Sequence, residues 1–314
     1  MKKTALLSIT ICLCGFLKAQ QMPLDNQYLI NNFALSPAYA GSNGNVESFL
    51  MYRRNWVGVK GGPETKMFNI NGPVKDNMGL GGTINVDEVG IFNTFSAMLS
   101  YSYLLKFNED NFLRFGASAG AFENHINVSG IKSIGSDDPI VMANQSANKT
   151  LFDANFGIAY HFRNLDGGMV VPHLLESSIS GNSTDLYTLK RQYLFHLSYH
   201  YDINKDWQVT PFTLLRKTAN SNMFYEFAAL VKYQKQLWLG TTYRKGNTIA
   251  MTLGGLLHSN IAFNYSYEFG QGMLGYASGN HEISIGFMIG KNKCALSSVF
   301  SNEIYSKKKP YLQW

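Results

Sequence analysis

Residues 151–162 read LFDANFGIAYHF. Phe152, Ala154, Phe156, Ile158, Tyr160 and Phe162 fall on one face, while Asp153, Asn155, Gly157, Ala159 and His161 fall on the other. A period of two belongs to a strand, whose side chains point to opposite sides in turn. The same alternation returns at Tyr193–Tyr201, at Ile261–Phe269 and at Ile283–Ile289. In the first of these, His196 and His200 share the polar face with Leu194 and Ser198. Strands of a soluble sandwich alternate too, but they run about five or six residues. These run about nine to eleven, the length a tilted strand needs to cross a bilayer. Aromatic residues gather near their ends, at Tyr199–Tyr201 and Tyr265–Phe269, as in the interfacial girdles of outer-membrane barrels.

About fourteen such strands are expected, counted by this alternation. They begin near Val46, Thr65, Met78, Thr94, Asn111, Leu151, Gly168, Arg191, Trp207, Asn222, Gln236, Thr248, Asn260 and His281. Pro172 and Pro211 fall in two of them, and proline cannot donate to a ladder. Short turns are expected at 108–110, 164–167, 202–206, 234–235 and 258–259. Longer loops are expected at 123–150, 176–190 and 270–280. Short periplasmic turns alternating with long outer loops are the pattern of an outer-membrane barrel. The fold class expected is all-β: a transmembrane antiparallel β-barrel of about fourteen strands, with periplasmic N- and C-terminal extensions.

Composition agrees. Charged residues are 15% of the chain, against about a quarter in soluble domains, and aromatics are 14%. No later segment approaches 18 uninterrupted apolar residues, so a membrane location requires a closed barrel, the other structure that satisfies every backbone group in lipid. The net charge is +6, but the basic residues are scattered with no stripe or motif for nucleic acid. Met1-Lys2-Lys3, the apolar run Thr4–Leu17 and Lys18-Ala19-Gln20 read as a secretory signal peptide cut after Ala19. Cleavage would leave Cys294 as the single cysteine and no intrachain disulfide. The expected organisation is therefore a signal peptide over 1–19, a periplasmic segment over 20–45, the barrel over 46–290 and a periplasmic tail over 291–314. Phe300, Tyr305, Tyr311 and Trp314 are the aromatic anchors such a tail would offer for docking.

The sequence contains no nucleophile elbow, no His-Glu-x-x-His, no paired cysteines and no P-loop, so no enzyme and no cofactor is expected. His196 and His200 are four residues apart on one strand face, roughly 13 Å at about 3.3 Å per residue, too far to share a metal directly. Asp137-Asp138 and Asp153 supply oxygen ligands of the kind calcium takes, without EF-hand spacing. Inner-face charges at Asp153, Glu226, Lys232, Arg244 and Glu268 are expected to pair within the barrel. Arg53 and Arg54 point to opposite faces of one strand; one of them belongs at an interface or strand end, since an arginine facing lipid at mid-membrane costs about 2–4 kcal/mol.

The N-terminal third carries a set of motifs in order. A Pro-Ala-Tyr-Ala-Gly turn spans Pro37 to Gly41, where proline fixes φ and glycine permits positive φ. Arg53-Arg54-Asn55-Trp56-Val57-Gly58 follows, then Gly61-Gly62-Pro63-Glu64-Thr65, Gly79-Leu80-Gly81-Gly82 and Asp87-Glu88-Val89-Gly90. In order and spacing these resemble the PorP/SprF family of outer-membrane proteins of type IX secretion. Ser36 stands where the family usually has asparagine, and Arg54-Asn55 where Asn-Gln is common. The resemblance reaches the His281-Glu282-Ile283 strand.

The resemblance implies a non-enzymatic barrel, serving protein secretion and gliding motility. It would help particular cargo reach or stay on the cell surface by engaging C-terminal sorting domains and the periplasmic machinery. The binding residues it points to are Pro37, Tyr39, Gly41, Arg54, Trp56, Gly62 and Pro63, whose alternative role is structural, as turn formers and an interfacial tryptophan. A second reading is a channel for small solutes, similar in strand number to the fatty-acid transporter class. It predicts a gated lumen or an N-terminal plug built from Gln21–Asn45.

Overall fold

The computed structural model describes residues 25–90, 92–126, 149–180, 185–219, 221–258, 260–269 and 279–289. Its strands are β1 Val46–Arg54, β2 Glu64–Lys75, β3 Met78–Val89, β4 Phe92–Asn108, β5 Asn111–Ile126, β6 Lys149–Phe162 and β7 Leu165–Val171. A small ribbon follows, β8 Ser178–Ser180 with β9 Asp185–Thr188. The chain resumes with β10 Gln192–Tyr199, continued by β11 Tyr201–Asp202, and then β12 Trp207–Thr218 and β13 Phe224–Tyr233. The last strands are β14 Leu237–Arg244, β15 Thr248–His258, β16 Ile261–Phe269 and β17 Asn280–Ile289. With β10 and β11 as two halves of one strand, fourteen antiparallel strands close on themselves, β1 pairing with β17 and β10 with β12. Closure leaves no open edge around the ring, which is what lipid demands of a β structure.

All fourteen expected strands are present. The two prolines act differently. Pro172 follows the last residue of β7, which runs for only seven residues. Pro211 stays inside β12, in register with Ala229 of β13. On its other side it falls between the pairs Ser198↔Phe212 and Tyr201↔Val209. A missing N–H there explains why β10 and β11 are separated at His200.

Alternation sorts the side chains as expected. Phe152, Phe195 and Ile283 are exposed on the outer wall, whereas Asp153, His196 and Glu282 are buried within. Several strands are longer than expected, β4 reaching 17 residues. Connections at 76–77, 109–110, 163–164, 203–206, 234–236 and 259–260 lie at one end. The longest connections lie at the other, so the first end is periplasmic and the second is the outer mouth. Asp137-Asp138, residues 1–24, Cys294 and the tail from 291 onward, with Phe300, Tyr305, Tyr311 and Trp314, lie outside the described residues.

One expectation is corrected. Residues 26–45 are not a periplasmic segment; they take the plug position that the channel reading expects of Gln21–Asn45. They run inside the barrel as three short 3-10 turns, Asn26–Leu29, Asn32–Ala34 and Pro37–Tyr39, with Asn26, Gln27, Tyr28, Leu29, Ala38 and Ala40 at most 2% exposed. A fourteen-stranded barrel is too wide for its own wall side chains to fill it. The segment supplies the missing volume.

Candidate functional site: the plugged lumen and its outer mouth

The plug enters β1 at the periplasmic end, and its Pro-Ala-Tyr-Ala-Gly turn lies near that end. Ser36 caps the turn, its Oγ accepting from the Ala38 N–H at 3.3 Å, and Pro37 takes the first helical position. The wall beside it is hollowed by glycines. A Cβ on Gly116 would meet the Ala38 nitrogen at 2.1 Å, and one on Gly79 would meet the Ala40 carbonyl oxygen at 2.1 Å. Gly157 faces Ser36 Oγ, and Gly81 faces the ring of Phe33 in the same way. Gly41, at φ 66°, sits against the Gly72 carbonyl, where no side chain fits. Ser102 Oγ donates to the Ala40 carbonyl at 2.7 Å, and the Gly41 N–H donates to Asn71 Oδ1 at 2.8 Å. Tyr39 Oη lies 2.7 Å from His196 Nε2. Burial raises the Tyr39 phenol above its ordinary range, with the Asp166 carboxylate adding to the rise, so the hydroxyl stays protonated.

Midway, Leu29, Ile30 and Leu35 pack with Phe49, Val170, Leu194, Leu214, Leu230 and Trp238 in one apolar cluster. Full burial of such side chains is worth roughly 1.5–3 kcal/mol each. Asn31 Nδ2 donates to Asn69 Oδ1 at 3.0 Å. Nearer the periplasm, Asp166 receives His161 Nδ1 at 2.6 Å and His200 Nε2 at 2.7 Å. His200 and His196 therefore have different partners, a carboxylate and a tyrosine hydroxyl, and no group of three metal-ligating side chains occurs among the described residues.

The beginning of the plug reaches the outer mouth, where the strand ends 53–54, 226, 244, 268 and 280–282 meet. Arg53 donates to Glu268 at 3.0 Å, to Glu282 at 3.1 Å and to Asn55 at 2.8 Å. Arg244 donates to Glu226 at 3.0 Å, to Asn26 Oδ1 at 2.8 Å and to Glu268. The plug closes the network. The Asn26 N–H donates to Glu282 at 2.9 Å, and the Tyr28 hydroxyl donates to Glu226 at 2.8 Å. Burial, and then the Glu226 charge, raise the Tyr28 phenol well above its ordinary value, which keeps it a donor. Withdrawal from water, and then the Glu282 charge, push Asp25 up to about 7. Buried charges are tolerated only when paired and hydrogen-bonded, and here part of that pairing comes from the plug.

The residues singled out in the sequence divide between the two ends. Pro37, Tyr39 and Gly41 form the plug turn. Trp56, Gly62 and Pro63 lie in the outer loop after β1. Trp56, at φ 54°, donates its N–H to Asn280 Oδ1 at 2.9 Å, and Asn280 donates to Glu268 at 2.8 Å. The Asn55 N–H donates to the Pro63 carbonyl at 2.8 Å, and a Cβ on Gly62 would strike the Asn55 carbonyl oxygen at 2.6 Å. This loop buttresses the ionic network. Arg54 points outward to Glu64 at 3.5 Å; Arg53 is the arginine that enters the site. Of the inner-face charges, Glu226, Arg244 and Glu268 pair as expected, and Asp153 accepts from His173 Nδ1 at 2.5 Å. Asn26 and Tyr28 were not singled out in the sequence, and Glu282 entered only as part of the strand that the family resemblance reaches. Only the buried charges on neighbouring strands hinted at the network.

The sequence is matched over residues 17–287 by the family model described as type IX secretion system membrane protein PorP/SprF. No curated protein matches it. Among solved structures it resembles the CymD monoaromatic hydrocarbon channel, with 11% identity and a TM-score of 0.52 over 86% of this chain and 94% of that one. It also resembles the P. putida toluene transporter TodX, with 10% identity and a TM-score of 0.48 over 85% and 95%. A third is the Acinetobacter baumannii outer membrane protein Omp33, with 7% identity and a TM-score of 0.44 over 79% and 100%. At these identities the likeness is one of fold.

Proposed function

The chain belongs to the PorP/SprF family of type IX secretion membrane proteins, and from that premise we propose that it is a non-catalytic adaptor for export and surface attachment of particular cargo proteins. It is an outer-membrane β-barrel. Its signal peptide is removed after Sec-type export. It binds the C-terminal sorting domains of its cargo at the outer face and secretion components at the periplasmic face. The observation that carries this reading is the family match over residues 17–287; the plug, which the channel reading also expects, bears only on whether the lumen is open. Residues 26–41 occupy the lumen and are hydrogen-bonded to the wall at both ends. With the plug docked the lumen is no open conduit, and on the adaptor reading the barrel works through its surfaces.

The test is a deletion strain scored for surface display of secreted proteins, with a pull-down of the tagged barrel and mass spectrometry of its partners. Loss of display of one or a few proteins carrying C-terminal sorting domains, recovered with the barrel, is expected. Unaltered display would overturn the reading. The alternative, a channel for small solutes, requires the plug to move; steady ion conductance of the intact barrel in planar bilayers would favour it.

A further inference from the structure

The barrel wall is interrupted beside β6. Strand β6 has 14 residues, but β7 pairs with only its last seven, Phe156↔Val171 to Phe162↔Leu165. Along the outer half of β6, the place of a neighbouring strand is taken by an irregular strap, residues 172–177. The strap is tied to β6 through one backbone bond and side chains rather than through a ladder. The Leu174 N–H donates to the Ala154 carbonyl at 2.8 Å, and Ser177 Oγ donates to the Phe152 carbonyl at 2.6 Å. The His173 N–H donates to Asn155 Oδ1 at 3.0 Å, and His173 Nδ1 meets Asp153. On the far side Arg191 donates to the Leu174 carbonyl at 2.5 Å and faces Glu176 at 3.5 Å, and the Leu189 and Gln192 N–H groups donate to the Ser177 and Pro172 carbonyls at 3.0 and 3.3 Å.

Two features mark the strap as a replaceable cover. His173 and Glu176 both have positive φ, 57° and 46°, a conformation that residues with a Cβ adopt at a cost. The strap also lies beside the apolar outer wall, since Phe152, whose carbonyl it engages, is exposed there. Irregular backbone does not persist facing lipid, and Leu175 of the strap is itself 57% exposed.

We propose that the outer half of β6, at Phe152 and Ala154, is a strand-addition site, where an extended segment of the exported cargo displaces the strap and continues the line of β7. The proposal rests on the adaptor reading and places the cargo contact in the wall. The chemistry is that of an edge. In a strand, the N–H and carbonyl of one residue point to the same side. The bonds to the strap therefore place the N–H and carbonyl of Phe152 and Ala154 on the seam side, away from β5. The strap engages the carbonyls; a strand would engage both groups and shield the row from lipid. The occupant is an extended polypeptide, apolar at alternate positions on the lipid side.

Two variants of the full-length barrel test this. Ala154→Pro removes a seam-side N–H without touching the β5 ladder, and Arg191→Ala loosens the strap without leaving a buried charge. The probe is the isolated sorting domain of the protein that the deletion strain fails to display. Folding is checked by heat-modifiable migration on gels. Ala154→Pro is expected to lower capture by about tenfold, the effect of one or two ladder hydrogen bonds, while Arg191→Ala raises it. Wild-type capture by folded Ala154→Pro, or a fall in both variants together, overturns strand addition while leaving the adaptor reading in place. A deletion strain with normal display overturns both.

Discussion

Arg53 and Glu282 face each other across the seam where the first barrel strand meets the last, in register and 3.1 Å apart. The same Glu282 carboxylate oxygen accepts the Asn26 N–H of the plug. Barrel closure and plug docking thus share one carboxylate, and the two are expected to fail together.

Removing one side of that pairing tests the point. Arg53→Met leaves Glu268 and Glu282 without their shared guanidinium, and breaking a buried pair costs about 3–5 kcal/mol. The neighbouring Arg54→Met removes a half-exposed ion pair, worth about 0–1 kcal/mol. Urea unfolding of the refolded barrel is expected to show a large drop for the first and almost none for the second.

Glycines in the wall set where the plug can sit. Gly116→Ala puts a methyl group into the Ala38 backbone, which has nowhere to move, whereas Gly82→Ala meets nothing closer than 3.8 Å. Limited proteolysis is expected to cut the plug readily in Gly116→Ala and to leave Gly82→Ala like the parent. Equal protection in both would show that the plug does not depend on this contact.

Tyr39→Phe keeps the ring and removes the hydroxyl that meets His196. A buried polar group left unsatisfied costs about 1–3 kcal/mol. Hydrogen exchange of the 36–41 amides is expected to quicken by about tenfold, which corresponds to about 1.4 kcal/mol. Exchange at Asn26–Leu29 should change little.

The outer end of the plug is expected to respond to pH through Asp25. Its carboxyl titrates near 3.8 in the open chain and at about 7 when the plug is docked, facing Glu282 and Asp87 against Arg53 and Arg244. A raised acid pKa means that the docked state holds the proton more tightly. Docking is therefore strongest at the acid end of this window and weakens as pH rises to about 7, by at most about tenfold per unit. Asp25→Asn should flatten the profile. The readout is exchange at Asn26–Leu29, corrected for the intrinsic pH dependence of amide exchange.

The strand pattern was legible in residues 151–162 and its repeats because alternation is a local property of a strand between lipid and a polar interior. Barrel, strand number and periplasmic turns followed from the one-dimensional sequence. The charged pairs Glu226–Arg244 and Arg244–Glu268 were partly legible, as inner-face charges that needed partners. For residues 26–45 two readings stayed open, a periplasmic segment and a plug. Their 3-10 turns carry no strong period, and what holds them is spread over distant strands: Gly79, Gly116 and Gly157 on the wall, Glu226 and Glu282 at the mouth. Nor could the choice between Arg53 and Arg54 be made locally, since alternation puts them on opposite faces without saying which face is inward. The sequence by itself determined that the chain is an outer-membrane barrel with a family signature. Only the tertiary structure decided that the first part of that signature plugs the lumen, because closing the ring brings glycine hollows and carboxylates from distant strands around one segment.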